Sequence, residues 1–135
     1  MSNRCIKILG IGNDIVKISR FTVNSENERF LKRAFHPVEI EKFKELKLQS
    51  QQNALQYLAG RWAAKESVYK AFKGIERAKL NFQNIRILSN SDGSPYVDLI
   101  ENSLDLSKQL NVTDIHISIS HDTDYAIANK SISIS

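Results

Sequence analysis

The chain predicts an α+β fold in which an antiparallel sheet packs against one long central helix. Three observations carry that prediction. One strand-like stretch opens the chain, a block of helix-patterned segments follows, and the second half returns to strands around one further helix. Leu58 to Phe72, LAGRWAAKESVYKAF, is apolar on two faces, as a helix enclosed by other elements would be. Asp114 to His121, DIHISISH, alternates cleanly and runs through HDTD into another apolar stretch, which describes an antiparallel hairpin. No internal repeat, low-complexity segment or linker interrupts the sequence, so residues 1–135 are expected to form a single domain.

Taken in order, Cys5 to Ile18 reads as the first strand. Ile6, Ile8, Val16 and Ile18 share one parity and Leu9, Ile11 and Ile15 the other, so both faces are apolar and a central position is expected. Asp14 falls on the parity of Val16, where aspartate is unusual, and Gly10 and Gly12 allow a bend or the close approach of another backbone or a ligand. Ser25, with Glu28 three residues later, has the form of a capping box and predicts a short helix from about Glu26 to Ala34. Arg29, Lys32 and Arg33 share one side of it as a basic ridge, with Arg20 just ahead. Pro37 suits the first turn of a helix running to about Leu48, and QSQQN separates that from the long helix, which should begin near Gln51 and stop at Gly74.

The second half is expected to hold strands Phe82 to Leu88 and Pro95 to Leu99 around Asp92-Gly93, then a helix from about Ile100 to Leu110. The last two strands follow, Asp114 to His121 and Tyr125 to Ile132, with Ile115, Ile117 and Ile119 inward.

Composition narrows the function classes. With 41% hydrophobic and 25% charged residues the chain belongs to the globular class, and no apolar run approaches the roughly 18 residues of a membrane span. No secretory signal pattern opens it, which points to the cytoplasm. A single cysteine, Cys5, excludes an internal disulfide and, with three histidines, a cysteine-based zinc site. Residues 1–80 hold 16 of the 19 Lys/Arg and 8 of the 15 acids, a balance of +8, against −4 for the remainder. The basic half suits an anionic partner: nucleic acid, an acidic protein or a phosphorylated small molecule.

Two acids stand where an isolated charge is costly. Asp14 lies on the first strand, and Glu66 continues the line of Leu55, Ala59 and Trp62 on the long helix. An ordinary surface ion pair between Glu66 and Lys70, four residues on, accounts for the helix alone equally well. If the helix packs on the strand, however, the two carboxylates meet, and two repelling carboxylates invite a cation between them. Magnesium takes one or two protein carboxylates and completes its shell with water and phosphate oxygens. Lys70 would face the same phosphates, with Arg61 and His121 available for others, so phosphoryl-type transfer is the natural chemistry. A small basic RNA-binding module is the competing class; it explains the charge asymmetry but not two inward acids, and no RNA-module signature is present.

GIGNDIVKISRF (Gly10 to Phe21), LAGRWAAKESVYKAF and SISHDTDYAIA (Ser118 to Ala128) resemble, in order and spacing, three signature segments of the holo-acyl-carrier-protein synthase family of phosphopantetheinyl transferases. RFLKRAFHPVEIEKF (Arg29 to Phe43) and DGSPY (Asp92 to Tyr96) are also similar to that family. The resemblance implies a phosphopantetheinyl-transferase-like fold and transfer of phosphopantetheine from coenzyme A to a serine of apo acyl carrier protein, releasing adenosine 3',5'-bisphosphate in support of fatty acid biosynthesis. It further implies Asp14 and Glu66 as Mg2+ ligands, Lys70 on the phosphoryl oxygens, Arg61, Lys65 and His121 on coenzyme A, and Arg20, Arg29 and Arg33 on the acidic carrier. Either a metal-bound water or Glu66 would serve as general base. A homotrimer with active sites between subunits is implied as well, with no role for nucleic acid or membrane. The chain departs from the family's glycine-rich turn at Lys73-Gly74-Ile75-Glu76, and Asp122 follows His121 where an uncharged residue or a glutamate is common.

Overall fold

The computed structural model describes residues 5–72 and 80–135. Its elements, in order, are β1 (Lys7–Lys17), a 3-10 turn at Ile18–Arg20, α1 (Phe21–Asn24), α2 (Glu28–Ala34), α3 (Pro37–Gln49) and α4 (Gln51–Ala71). A second 3-10 turn at Phe82–Asn84 then leads into β2 (Ile85–Ser89), β3 (Pro95–Leu99), α5 (Glu101–Gln109), β4 (Val112–His121) and β5 (Tyr125–Ile134). β1, β5 and β4 form an antiparallel sheet in that order, and β2 and β3 form a separate hairpin. No helix among the described residues is long and apolar enough to cross a membrane.

α4 lies across β1 and β5 and is buried along most of its length. Its starting point is set by Ser50, whose side chain accepts from the Asn53 N–H. Ala64, Val68, Ala71 and Phe72 are fully buried, as the two-faced pattern requires. The fit against β1 is backbone on backbone. A Cβ built at Gly10 would lie 1.8 Å from the Ala71 carbonyl oxygen, and one at Gly12 would lie 1.9 Å from that of Ser67. Only glycine permits this approach, and it carries the strand to within side-chain reach of Glu66 and Lys70.

Three boundaries differ from expectation. β1 is an edge strand, not a central one. A bulge between Ile8 and Gly10 rephases it, so Gly10, Gly12 and Val16 face α4 while Ile8, Ile11 and Ile15 are about 60% exposed on the other side. The short helix α2 starts at Glu28 with Asn27 as its cap, accepting from the Phe30 N–H, because residues 21–24 already make a helical turn whose C-terminus is Ser25. The strand expected from Phe82 begins only at Ile85, because the preceding residues turn to present the Phe82 and Ile85 carbonyls to Lys65.

The expected helix start and turns are present. Pro37 opens α3, Gly93 takes φ +88° in the β2–β3 turn, and Asp122 closes the β4–β5 turn by accepting from the Asp124 and Tyr125 N–H groups. The stop assigned to Gly74 lies outside the described residues.

Candidate active site

β1 delivers Asp14 and α4 delivers Glu66 and Lys70, one turn apart. Lys70 Nζ donates to Asp14 Oδ1 at 3.0 Å and to the Asn13 carbonyl at 3.1 Å. The lysine is half-exposed and the aspartate nearly enclosed, so the ammonium closes the mouth of the Asp14 niche. Glu66 is close enough for its charge to be felt. Burial pushes its carboxyl above the usual range and the Asp14 carboxylate pushes it further, while Lys70 and Arg20 pull it back. Arg20 is held in this group by stacking, its guanidinium 5.3 Å from the Trp62 ring centroid. Two carboxylates and two cations thus converge where strand meets helix.

Trp62, one turn before Glu66, anchors an aromatic cluster with Phe21, Phe30 and Phe82 at centroid distances of 5.2 to 6.1 Å. Arg29 and Arg33 are exposed on α2, and Arg33 borders a cavity of about 320 Å³ that Phe30, Trp62 and Phe82 also line. The basic ridge therefore has an aromatic floor beside it.

Arg61 and His121 line two different cavities. Arg61 lies against β2, its Nη2 donating to Ser89 Oγ at 2.8 Å, in a cavity shared with Lys42 and Tyr57. His121, at the end of β4, lines a larger cavity of about 610 Å³ with Lys17, Ser19, Gln52, Gln56 and Asp124.

Lys65 requires a correction. It is fully buried, and its ammonium contacts Glu39 Oε1 at 2.6 Å and the Phe82 and Ile85 carbonyls at 2.7 Å each. All three ammonium donors have partners, so Lys65 has none left for coenzyme A. Glu39, in turn, accepts from the His36 and Ile87 N–H groups. The pair ties α3, α4 and β2 together behind the site. Sequence reasoning missed Glu39, although its place three residues after the His36 cap marks it as the acid of a capping box.

The residues present fit a divalent ion of the oxygen-preferring kind. Asp14 and Glu66 offer hard oxygen donors, and the burial and the nearby Asp14 charge that together raise the Glu66 carboxyl are what a dication between them would offset. Among the described residues no group of three or more His, Cys, Asp or Glu gathers at one point, and with two carboxylates the site has the donor set that magnesium completes with water and phosphate oxygens.

The model of the ACPS 4'-phosphopantetheinyl transferase superfamily matches residues 10–129. The chain is 38% identical over 125 residues to the holo-[acyl-carrier-protein] synthase of Halothermothrix orenii, covering 90% of this chain and 94% of that protein. It is 36% identical over 123 residues to the same synthase of Bacillus subtilis, with 90% and 92% covered. Among solved structures, holo-[acyl-carrier-protein] synthase from Neisseria meningitidis superposes with a TM-score of 0.81 at 28% identity, covering 93% of this chain and 98% of that one. The Helicobacter pylori synthase in complex with coenzyme A gives 0.70 at 31% identity over 90% and 98%. With its signature segments, its helix-on-strand geometry and these likenesses all agreeing, the chain belongs to the 4'-phosphopantetheinyl transferase superfamily and is a transferase.

Proposed function

We propose that this enzyme transfers the 4'-phosphopantetheine group of coenzyme A to a serine hydroxyl of apo acyl carrier protein, with Asp14 and Glu66 holding Mg2+. The observation that carries the reading is the meeting of Asp14, Glu66 and Lys70 across the β1–α4 contact. It gains support from relatives that are holo-[acyl-carrier-protein] synthases and from the coenzyme A complex of one of them. In the transfer, the serine oxygen forms a bond to the phosphorus bearing pantetheine as the pyrophosphate P–O bond breaks. The departing adenosine 3',5'-bisphosphate keeps the electron pair, and the hydroxyl proton passes to solvent or to Glu66. Held by Asp14 and Glu66, the ion would supply charge neutralisation for the departing phosphate.

The chain's own residues orient and neutralise. Asp14 fixes the Lys70 ammonium through its hydrogen bond, so that the cation is in place when phosphoryl oxygens arrive. Arg20, Arg29 and Arg33 offer charge to the acidic helix of a carrier beside the aromatic floor. Arg61 and His121 take the nucleotide end.

Because those two residues line separate cavities, a complete nucleotide site calls for more than one copy. The sheet face turned away from α4 exposes Ile11, Ile15, Tyr125 and Ile127, a patch suited to burial against identical chains. We therefore expect a homotrimer with sites between subunits, acting in the cytoplasm in fatty acid biosynthesis.

Apo carrier protein incubated with the enzyme, coenzyme A and Mg2+ should gain the mass of one phosphopantetheine, and chelation should stop the gain. Asp14→Ala and Glu66→Ala should each abolish transfer while circular dichroism shows the fold retained. A variant that still modifies the carrier at the wild-type rate would remove its residue from the metal site.

A further inference from the structure

Arg61 is gripped from two sides. Its guanidinium carbon sits 4.6 Å from the centroid of the Tyr57 ring, one helical turn earlier on α4, and its Nη2 donates to Ser89 Oγ on β2 at 2.8 Å. A guanidinium over an aromatic face loses freedom to tilt, and a hydrogen bond in its plane removes rotation about the normal to that plane. Together these contacts fix both the plane and the heading of a side chain that otherwise has many rotamers to lose when it meets an anion. Its Nε is shielded from solvent and has no hydrogen-bond partner, and the Tyr57 hydroxyl lies within hydrogen-bonding reach of the guanidinium, which has five N–H donors in all and so keeps some for an anion. The opening is a cavity of about 280 Å³ lined by Val38, Lys42, Tyr57, Arg61, Ile87, Leu88 and Ser89, so a second cation stands on the same rim. Burial drives the Tyr57 phenol up to about 12, so it stays neutral and adds no competing negative charge beneath the arginine.

We infer that Tyr57 and Ser89 are positioning residues for Arg61, holding its guanidinium pre-aimed across the α4–β2 cleft to receive a phosphate of the donor. The inference rests on the reading that Arg61 takes the nucleotide end of coenzyme A, and it adds two residues that read nothing themselves. Tyr57 works chiefly through its ring, its hydroxyl adding a lesser contact, and Ser89 through its hydroxyl. Both act before the donor arrives, so they lower the ordering cost of binding and leave the phosphoryl step alone.

The test measures kcat, KM for coenzyme A and melting temperature for Arg61→Gln, Tyr57→Phe, Tyr57→Leu, Ser89→Ala and the Tyr57→Leu/Arg61→Gln double variant. Tyr57→Leu and Ser89→Ala should each raise KM by about 3- to 10-fold with kcat within about 2-fold. Tyr57→Phe, which keeps the ring, should recover most of the loss, and the double variant should be no worse than Arg61→Gln alone. If Arg61→Gln raises KM while Tyr57→Leu and Ser89→Ala do not, the positioning role is wrong although the nucleotide reading stands. If the double variant shows the product of the single effects, Tyr57 does not act through Arg61 and the inference falls. If Arg61→Gln leaves KM unchanged, the nucleotide reading itself fails and takes the inference with it.

Discussion

Gly12 faces the Ser67 carbonyl with no room for a methyl group between them: a Cβ at this position would lie 1.9 Å from the oxygen. Gly12 is two residues from Asp14 and Ser67 directly follows Glu66, so this contact sets the spacing of the two carboxylates. Gly12→Ala must push backbone away from backbone, since no flexible side-chain tip is there to yield. We expect a loss of roughly 2–4 kcal/mol, at or above the usual cost of overpacking. Activity should fall even at temperatures where the variant is folded. Urea unfolding and transfer rate measured together check this; a variant with wild-type stability and rate would mean that the helix and strand are not in contact.

The Glu39–Lys65 pair is expected to behave as a structural tie. Removing one member leaves the other buried without its counter-charge, which typically costs about 3–5 kcal/mol. Lys65→Met should therefore lower stability strongly while KM for coenzyme A, measured where the protein is still folded, stays near the wild-type value. A variant of normal stability with a raised KM would return Lys65 to the donor site.

Arg20 serves two neighbours, stacking on Trp62 and opposing the charge of Glu66. Arg20→Glu should weaken carrier binding by well over 10-fold, because it places a like charge against an acidic helix. Coenzyme A binding should change far less. Calorimetry with each substrate separately decides the matter, and equal losses would count against the carrier ridge.

How far the site could be read from the sequence follows from where each signal lies. Asp14 and Glu66 were legible because each is an acid at a position whose neighbours in the strand or helix period are apolar, and that is a local pattern. The start of α4 was legible because QSQQN breaks the helical pattern. Lys65 was misassigned although it adjoins Glu66 in sequence. One residue turns about 100° around a helix, so neighbours in a motif face different surroundings. Its partner Glu39 comes from another helix, and only the packing of α3 on α4 identifies it. Ser25 and Glu28 imitate a capping box, but the cap is decided by the preceding turn at residues 21–24, which composition does not mark. The bulge after Ile8 is invisible for a similar reason: nothing in KILGIG distinguishes a strand that keeps its phase from one that slips.

Lys130 carries the last prediction. It lies opposite Gly12 and Ile117 on the face of the sheet turned toward α4, is only 2% exposed, and its Nζ has no hydrogen-bond partner. The immediate neighbours on that face, Gly12, Ile117, Ala128 and Ile132, are not ionisable; the acid on the same face, Asp14, lies diagonally across, opposite Ala128, and is bonded to Lys70. Burial alone drives the amine down to about 6 from the ordinary 10.5. Between those two values the unfolded chain binds the extra proton and the folded chain does not. Stability should therefore rise with pH across that window, and below about 6 the fold should bear the full cost of a buried ammonium. Lys130→Met keeps the stem and removes the amine. It should stabilise the protein at pH 7 by roughly 1–3 kcal/mol, in the range found when buried charge gives way to apolar packing. Urea midpoints for both proteins at pH 6 and pH 9 provide the measurement, and the difference between them cancels the other titrating groups. The wild type should gain clearly more stability over that interval than the variant, whereas parallel profiles would show that the amine reaches water or a counter-charge in solution.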